Sequence, residues 1–226
     1  MKPHRLLASA RTPDGAILTL HEHDGSHCVR LAGRELMHSQ AACSESALGE
    51  LGMARLVREK PGRVLIGGLG LGFTLRSVLE RAGAKVVVEV AELLPEIVAW
   101  NREHLARLNG ALLDDPRVRV VIGDVFELVR RAPPAGYAAV MLDIDNGPSA
   151  MVQAANARLY DAPGIRMLAT MLAPGGRLVV WSAGDDAAFV RRLAGAGLRV
   201  QTVPVKIRAG ARQAAGRLFV GDRTGA

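Results

Sequence analysis

From Arg63 onward, short apolar runs alternate with stretches of helical period. "RVLIGG" is followed by "TLRSVLERAG", "KVVVEV" by "PEIVAWNREHLARLNG", "VRVVIGD" by "VFELVRRA", "YAAVMLD" by "RLYDAPGIRMLATMLAPGG", and "RLVVWSA" by "DDAAFVRRLAGAG". Parallel strands cannot be joined by tight turns, so this alternation predicts an α/β fold with a largely parallel sheet and helices on both faces. The runs are apolar at successive positions, as strands covered on both faces should be. The last two, "LRVQTVPVKI" and "GRLFVGD", have no helical pattern between them and read as a terminal hairpin. The first 40 residues differ: "RLLASAR", "AILTLHEH" and "HCVRLAG" are partly alternating runs separated by the turn sequences "TPDG" and "DGS". The pattern therefore predicts a small β module over residues 1–43, a linking helix over 44–60 capped by Ser44, and a main domain over 61–226.

Composition narrows this picture only a little. The chain is 49% hydrophobic, yet no apolar run approaches the roughly 18 to 20 residues a membrane span needs. The start, "MKPHRLLASARTPDG", lacks a continuous apolar core of signal-peptide length, so a cytoplasmic location is the expectation. Cys28 and Cys43 are too few for a disulfide framework, and no spacing suggests metal ligands. The net charge of +7 admits an anionic partner. A nucleic-acid surface is nevertheless disfavoured: aromatics make up 4% of the chain, and the one basic cluster, "KIRAGARQAAGR", carries none for base stacking.

The candidate chemistry begins at "VLIGGLGLGFTLRSV", where Gly68, Gly70 and Gly72 follow a strand and open a helix. Such a turn brings backbone amides close to a ligand. Phe73 and Thr74 stand where a P-loop would need lysine and a hydroxyl, which argues against a nucleoside triphosphate. Glu89, about twenty residues on, is suited to accept bonds from ribose hydroxyls, with Glu92 as a competing position. Asp124 in "VIGDVFEL" either receives an exocyclic amine or caps the next helix, and one group can do both. "MLDIDNGP" places Asp143, Asp145 and Asn146 just past the fourth strand of the main sheet, where open α/β sheets bind ligands. Asp143 is the first candidate to take a proton from an attacking amine, and Asp145 the second. His21, His23 and His38 are expected to be surface or packing residues, and Trp100, Phe126 and Trp181 to pack in the core.

Glycine turn, Glu89, "GDVFELVR" and "RLYDAPGIRMLATMLAPGGRLVV" occur in an order that resembles class I S-adenosylmethionine-dependent methyltransferases, and in particular the spermidine synthase (polyamine aminopropyltransferase) branch of that fold. The resemblance implies a Rossmann-like, seven-stranded methyltransferase sheet with a reversed last strand, and usually a homodimer. It implies that Gly68, Gly70, Leu71 and Gly72 hold the donor's side chain, Glu89 its ribose, and Asp124 with Val125 its adenine, while Asp143 assists amine deprotonation. The acceptor side is expected to draw on Gln40, Glu50, Asn146 and Tyr160. Two departures bear on chemistry. Leu71 replaces the family's acid, which tilts the loop toward intact S-adenosylmethionine. In "SESALGE", Glu45 and Glu50 survive while Ser44 and Leu48 replace an acid and a tyrosine, which leaves a dicationic polyamine fewer anionic partners. The expectation is therefore alkyl transfer, methyl transfer first, to a small nucleophile. The alternatives are aminopropyl transfer from the decarboxylated donor and a non-catalytic adenosyl-binding dimer, in each case without metal.

Overall fold

The computed structural model describes residues 4–12, 15–144, 148 and 156–225. Its N-terminal strands β1 (Arg5–Arg11), β2 (Ile17–His23), β3 (Ser26–Leu31) and β4 (Arg34–His38) form an antiparallel meander. The fourth strand was not expected. It is joined to β3 by a two-residue turn in which Ala32 and Gly33 both have positive φ, 48° and 80°. That turn matches the twist of a hairpin, but alanine does not announce it.

Helix α1 (Cys43–Met53) links the meander to the main sheet. Ser44 is not its cap: the helix starts one residue earlier, and the Ser44 hydroxyl donates to Glu45 Oε2 at 2.8 Å. The remaining elements are β5 (Gly62–Gly67), α2 (Phe73–Arg81), β6 (Val86–Glu92), α3 (Pro95–Glu103), α4 (Ala106–Asn109), β7 (Val118–Ile122), α5 (Val125–Arg131), β8 (Tyr137–Leu142), α6 (Ala157–Tyr160), α7 (Ala162–Met171), β9 (Leu172–Ser182), α8 (Ala187–Gly195), β10 (Leu198–Val205) and β11 (Gly216–Arg223). The main sheet has seven strands in the order β10-β11-β9-β8-β5-β6-β7, and β11 runs antiparallel to both of its neighbours. The expected α/β sheet with a reversed last strand is what the chain forms. Among the described residues, no helix is long and apolar enough to cross a membrane.

The period of two along each strand divides the core into two layers. Val64, Ile66, Val88, Val90 and Met141 face one layer, which also contains Leu18, Leu20 and Val29 of the meander and Leu48 of α1. Leu65, Ala91, Val140, Leu142 and Phe219 face the other, packed with Val129, Ile165, Leu168 and Phe189. The first layer is the one that meets the N-terminal module, so a long strand-end side chain points toward that module when its parity matches Val88 and Val90.

Candidate active site

The strand order places β5 beside β8, with the chain leaving β5 toward β6 on one side and β8 toward β9 on the other. This is the topological switch point where open α/β sheets form a crevice. Gly68 and Asp143 stand there together. The Asp143 N–H donates to the Gly67 carbonyl at 3.0 Å. A Cβ on Gly68 would lie 2.4 Å from the Asp143 carbonyl oxygen, and its φ of +89° is itself strained for any other residue. Gly68→Ala is therefore expected to lower Tm by roughly 5–10 °C, from a backbone collision and a disfavoured φ together. Gly195→Ala at the end of α8, where a Cβ meets open space, should leave Tm unchanged or raise it. Equal losses in the two thermal melts would contradict this account of Gly68.

A cavity of about 720 Å³ opens over this point, between the sheet's carboxyl ends, the N-terminal meander and the β10–β11 connection. On the β6–β7 side it is lined by Gly70, Leu71, Glu92, Gly123, Asp124 and Val125. The glycine loop is held from behind: Asn101 Nδ2 donates to the Gly70 carbonyl at 2.9 Å, and Asn109 Nδ2 donates to that of Leu71. Glu92 is buried and accepts from the backbone N–H groups of Leu69 and Leu94, each at 2.9 Å. Burial pushes its carboxyl upward, against the pull of these and neighbouring backbone donors. Asp124 caps α5 by accepting from the Phe126 N–H at 2.8 Å. Its second oxygen accepts from Arg158, whose guanidinium lies 4.1 Å from the centre of the Phe126 ring. The two readings of Asp124 thus coexist, since the capping residue also lines the cavity. An adenosyl group fits these residues: an acid at the end of β6, a second at the end of β7, and at Gly123 open space where a side chain would otherwise stand.

Two further carboxylates, Glu45 and Asp143, line the same cavity. Burial raises the Asp143 carboxyl to about 8, and the charge of Glu45 adds to that rise. Glu45 is likewise raised by burial, with the Ser44 hydroxyl opposing. Helix α1 carries Glu45 to the cavity because it docks tightly on the sheet: a Cβ on Gly52 would fall 2.3 Å from Met141 Sδ. From α2, the Ser77 hydroxyl donates to the Ser46 carbonyl at 2.7 Å, which fixes the first turn of α1. Such a pair can hold a cationic amine and take a proton from it.

Several expected site residues stand elsewhere. Glu89 has the wrong parity: it lies on the face of Leu65 and Ala91, three residues before the end of β6, where it accepts from Arg63 Nη2 at 2.9 Å and from the Tyr137 hydroxyl. Burial and the Glu89 carboxylate push that phenol up to about 12. Glu92, the competing acid, lines the cavity instead. Glu50 is exposed and pairs with Arg81 at 3.4 Å. Five residues of helix turn it about 140° away from Glu45. Gln40 is exposed and donates to Ser26 Oγ at 3.0 Å. The Tyr160 ring is buried edge-on against Phe189, 5.7 Å between centroids. Gly72 opens α2 with φ 88° behind the loop, where a Cβ would meet Asn101 and Asn109, and it is not among the lining residues. Leu71 lines the cavity, but its side chain is only 5% exposed and packs in the first core layer. Asp145 and Asn146 lie outside the described residues. Gly68, Gly70, Asp124, Val125 and Asp143 do converge.

Sequence reasoning assigned no cavity role to Met37, His38, Trp181, Asn156, Ile207 or Arg208, all of which line it. Trp181, next to the end of β9, packs against the first core layer as expected and also lines the cavity, and Trp100 is buried as expected. Ile207 and Arg208 belong to the basic cluster that had been weighed only for nucleic acid. No local pattern marks them, because the contact is long-range: the Cys43 N–H donates to the Ile207 carbonyl at 3.1 Å, and Arg208 pairs with Glu35 at 3.5 Å.

Comparison with known proteins places this geometry in context. Residues 44–187 match the model of the spermine/spermidine synthase domain. The chain is 38% identical over 119 residues to a polyamine aminopropyltransferase of Mycobacterium tuberculosis, covering 52% of this chain and 22% of that protein. It is 35% identical over 140 residues to polyamine aminopropyltransferase 1 of Hyperthermus butylicus, covering 60% and 46%. The chain thus spans less than half the length of these curated relatives. Among solved structures, a spermidine synthase in complex with the transition state analogue AdoDATO superposes with a TM-score of 0.78 at 19% identity, covering 97% of this chain and 74% of that one. The spermidine synthase of Thermotoga maritima gives 0.74 at 20% identity, covering 96% and 72%. These structural matches establish the fold.

Proposed function

We propose, from the premise that the chain belongs to the spermine/spermidine synthase domain family, that it transfers the aminopropyl group of decarboxylated S-adenosylmethionine to an amine. The observation that carries this reading is the pair of carboxylates Asp143 and Glu45, both raised by burial, lining one cavity together with Glu92, Asp124 and the glycine loop. Methyl transfer, expected first on the strength of Leu71, gives way here, because the relatives with matching sequence are named aminopropyltransferases.

When bound, the donor supplies a carbon already activated by the adjoining sulfonium. Glu92 and Asp124 hold the adenosyl part, and the loop from Gly68 to Leu71 sets the direction of the chain to be transferred. The acceptor nitrogen meets Asp143 across from that loop. As its N–C bond forms and the C–S bond breaks, the electron pair leaves with the neutral thioether and the amine proton passes to the Asp143 carboxylate. Alignment and one proton acceptor are what this reaction asks of the protein. The test offers the purified chain decarboxylated and intact donor side by side with amines. Release of the adenosyl thioether from the decarboxylated donor is expected. Turnover of the intact donor alone, by methyl transfer, would overturn the reading.

The carboxyl pair also predicts a pH dependence. Asp143 must be ionised to accept a proton, and its folded value of about 8 means that kcat/KM rises with pH through that value. Removing the Glu45 charge with Glu45→Gln should move the rise to lower pH. The acceptor's own deprotonation near ~10 is common to both proteins and cancels in the comparison. A profile that does not move in Glu45→Gln would sink the coupling of the two acids.

A further inference from the structure

Of the three glycines in the loop after β5, Gly68 and Gly70 line the cavity and Gly72 does not. What Gly72 makes room for lies on the outer side of the loop. A Cβ there would come within 3.1 Å of Asn101 Oδ1 and 3.2 Å of Asn109 Nδ2. These two buried amides, one on α3 and one at the end of α4, do not line the cavity either. They hold consecutive carbonyl groups of residues that do: Asn101 Nδ2 donates to Gly70 at 2.9 Å, and Asn109 Nδ2 donates to Leu71. Because a trans peptide is planar, turning the Gly70 carbonyl toward Asn101 turns the Leu71 N–H the opposite way, to the cavity side. Asn101 has a second duty, donating to the Ile97 carbonyl within α3 at 2.9 Å. Asn109 Oδ1 has no hydrogen-bond partner among the described residues, so the polar work of that side chain is its hold on Leu71.

We infer that Asn101 and Asn109 are positioning residues for the adenosyl donor, fixing the Gly70 and Leu71 peptide planes from outside the cavity in the space that Gly72 leaves open. The inference rests on the reading of this cavity as a donor site, but not on which group of the donor is transferred. Neither amide needs to touch the ligand. A loop whose peptide planes are already fixed loses little freedom when the donor arrives, whereas a released loop must be ordered at that moment, and affinity falls. The acceptor amine, bound at Asp143 and Glu45, does not draw on this clamp.

The experiment measures the thioether Kd by calorimetry, and the KM values of donor and amine separately, for the unaltered chain, Asn109→Ala and Asn101→Ala. In each variant the thioether Kd and the donor KM should rise by roughly 5- to 20-fold, the range for one lost hydrogen bond that orders a binding loop. The amine KM should stay within about twofold. A merely structural role would lower kcat with the folded fraction and move neither KM, and thermal melts report that fraction directly. Asn101→Ala should melt lower than Asn109→Ala, because the Ile97 carbonyl also loses its partner. The two variants act on one loop from different helices, so either one carries the test if the other does not fold. A lower Tm with an unchanged thioether Kd overturns the inference, and so does an equal rise in the donor and amine KM values. A weakened thioether Kd in the variants, together with no release of thioether from the decarboxylated donor by the unaltered chain, leaves the clamp standing and overturns aminopropyl transfer.

Discussion

Asp143→Asn is expected to reduce kcat by about 10²- to 10⁴-fold, the range for loss of a positioned proton acceptor, while the affinity for the thioether product changes by no more than about threefold. The substitution conserves shape. The main chain at this position is fixed by its own contacts, the N–H to Gly67 and the carbonyl against Gly68, so the crevice keeps its form. What changes is the capacity of the side chain to take a proton and its charge toward an incoming ammonium. Because burial and Glu45 hold the carboxyl near 8, the neutral amide also resembles the protonated form that prevails in the empty site below that pH. Stability should therefore not suffer: a carboxyl whose folded value is raised costs stability increasingly as pH rises above the unfolded carboxylate value and most fully above about 8, so its replacement raises Tm over that window. Single-turnover rates and product titration calorimetry on the same preparation separate the two effects. A parallel collapse of product affinity would place Asp143 in donor binding rather than in proton transfer.

The sheet was legible because each central strand is apolar at successive positions and each crossover helix has its own period. The reversed β11 was legible because no helix intervenes before it. What escaped had physical causes. β4 was hidden behind a turn at Ala32 that only its φ reveals. The cap expected at Ser44 went instead to a side-chain bond with Glu45. Glu45 and Glu50 are equivalent in composition, and only the helical phase, fixed by the docking of α1, chooses between them. The cavity wall from Ile207 and Arg208 depends on a hairpin connection that closes over residues more than a hundred and fifty positions earlier, a relation no local pattern carries.

The acid of the donor site is the sharpest case, and it yields the second large effect. Spacing from the glycine loop alone admits both Glu89 and Glu92. A strand decides between them by parity and by where it ends: Glu92 closes β6 on the face shared with the N-terminal module, whereas Glu89 lies about 10 Å back on the opposite face. Glu92→Gln removes a charged acceptor from the Leu69 and Leu94 N–H groups and from the ribose side of the cavity. A hydrogen bond to a charged group contributes about 1.5–3 kcal/mol, so the thioether Kd should rise by roughly 10- to 100-fold. Glu89→Gln removes an ion pair to an Arg63 that is partly open to water, together with the acceptor for the buried Tyr137 hydroxyl. Its expected cost is about 1–2 kcal/mol of stability, a Tm lower by roughly 3–6 °C, with donor affinity retained. Calorimetric titration and thermal melts of the two variants thus move in opposite patterns. If Glu89→Gln weakens binding and Glu92→Gln does not, the ribose acid is the residue that spacing favoured first, and the parity argument fails.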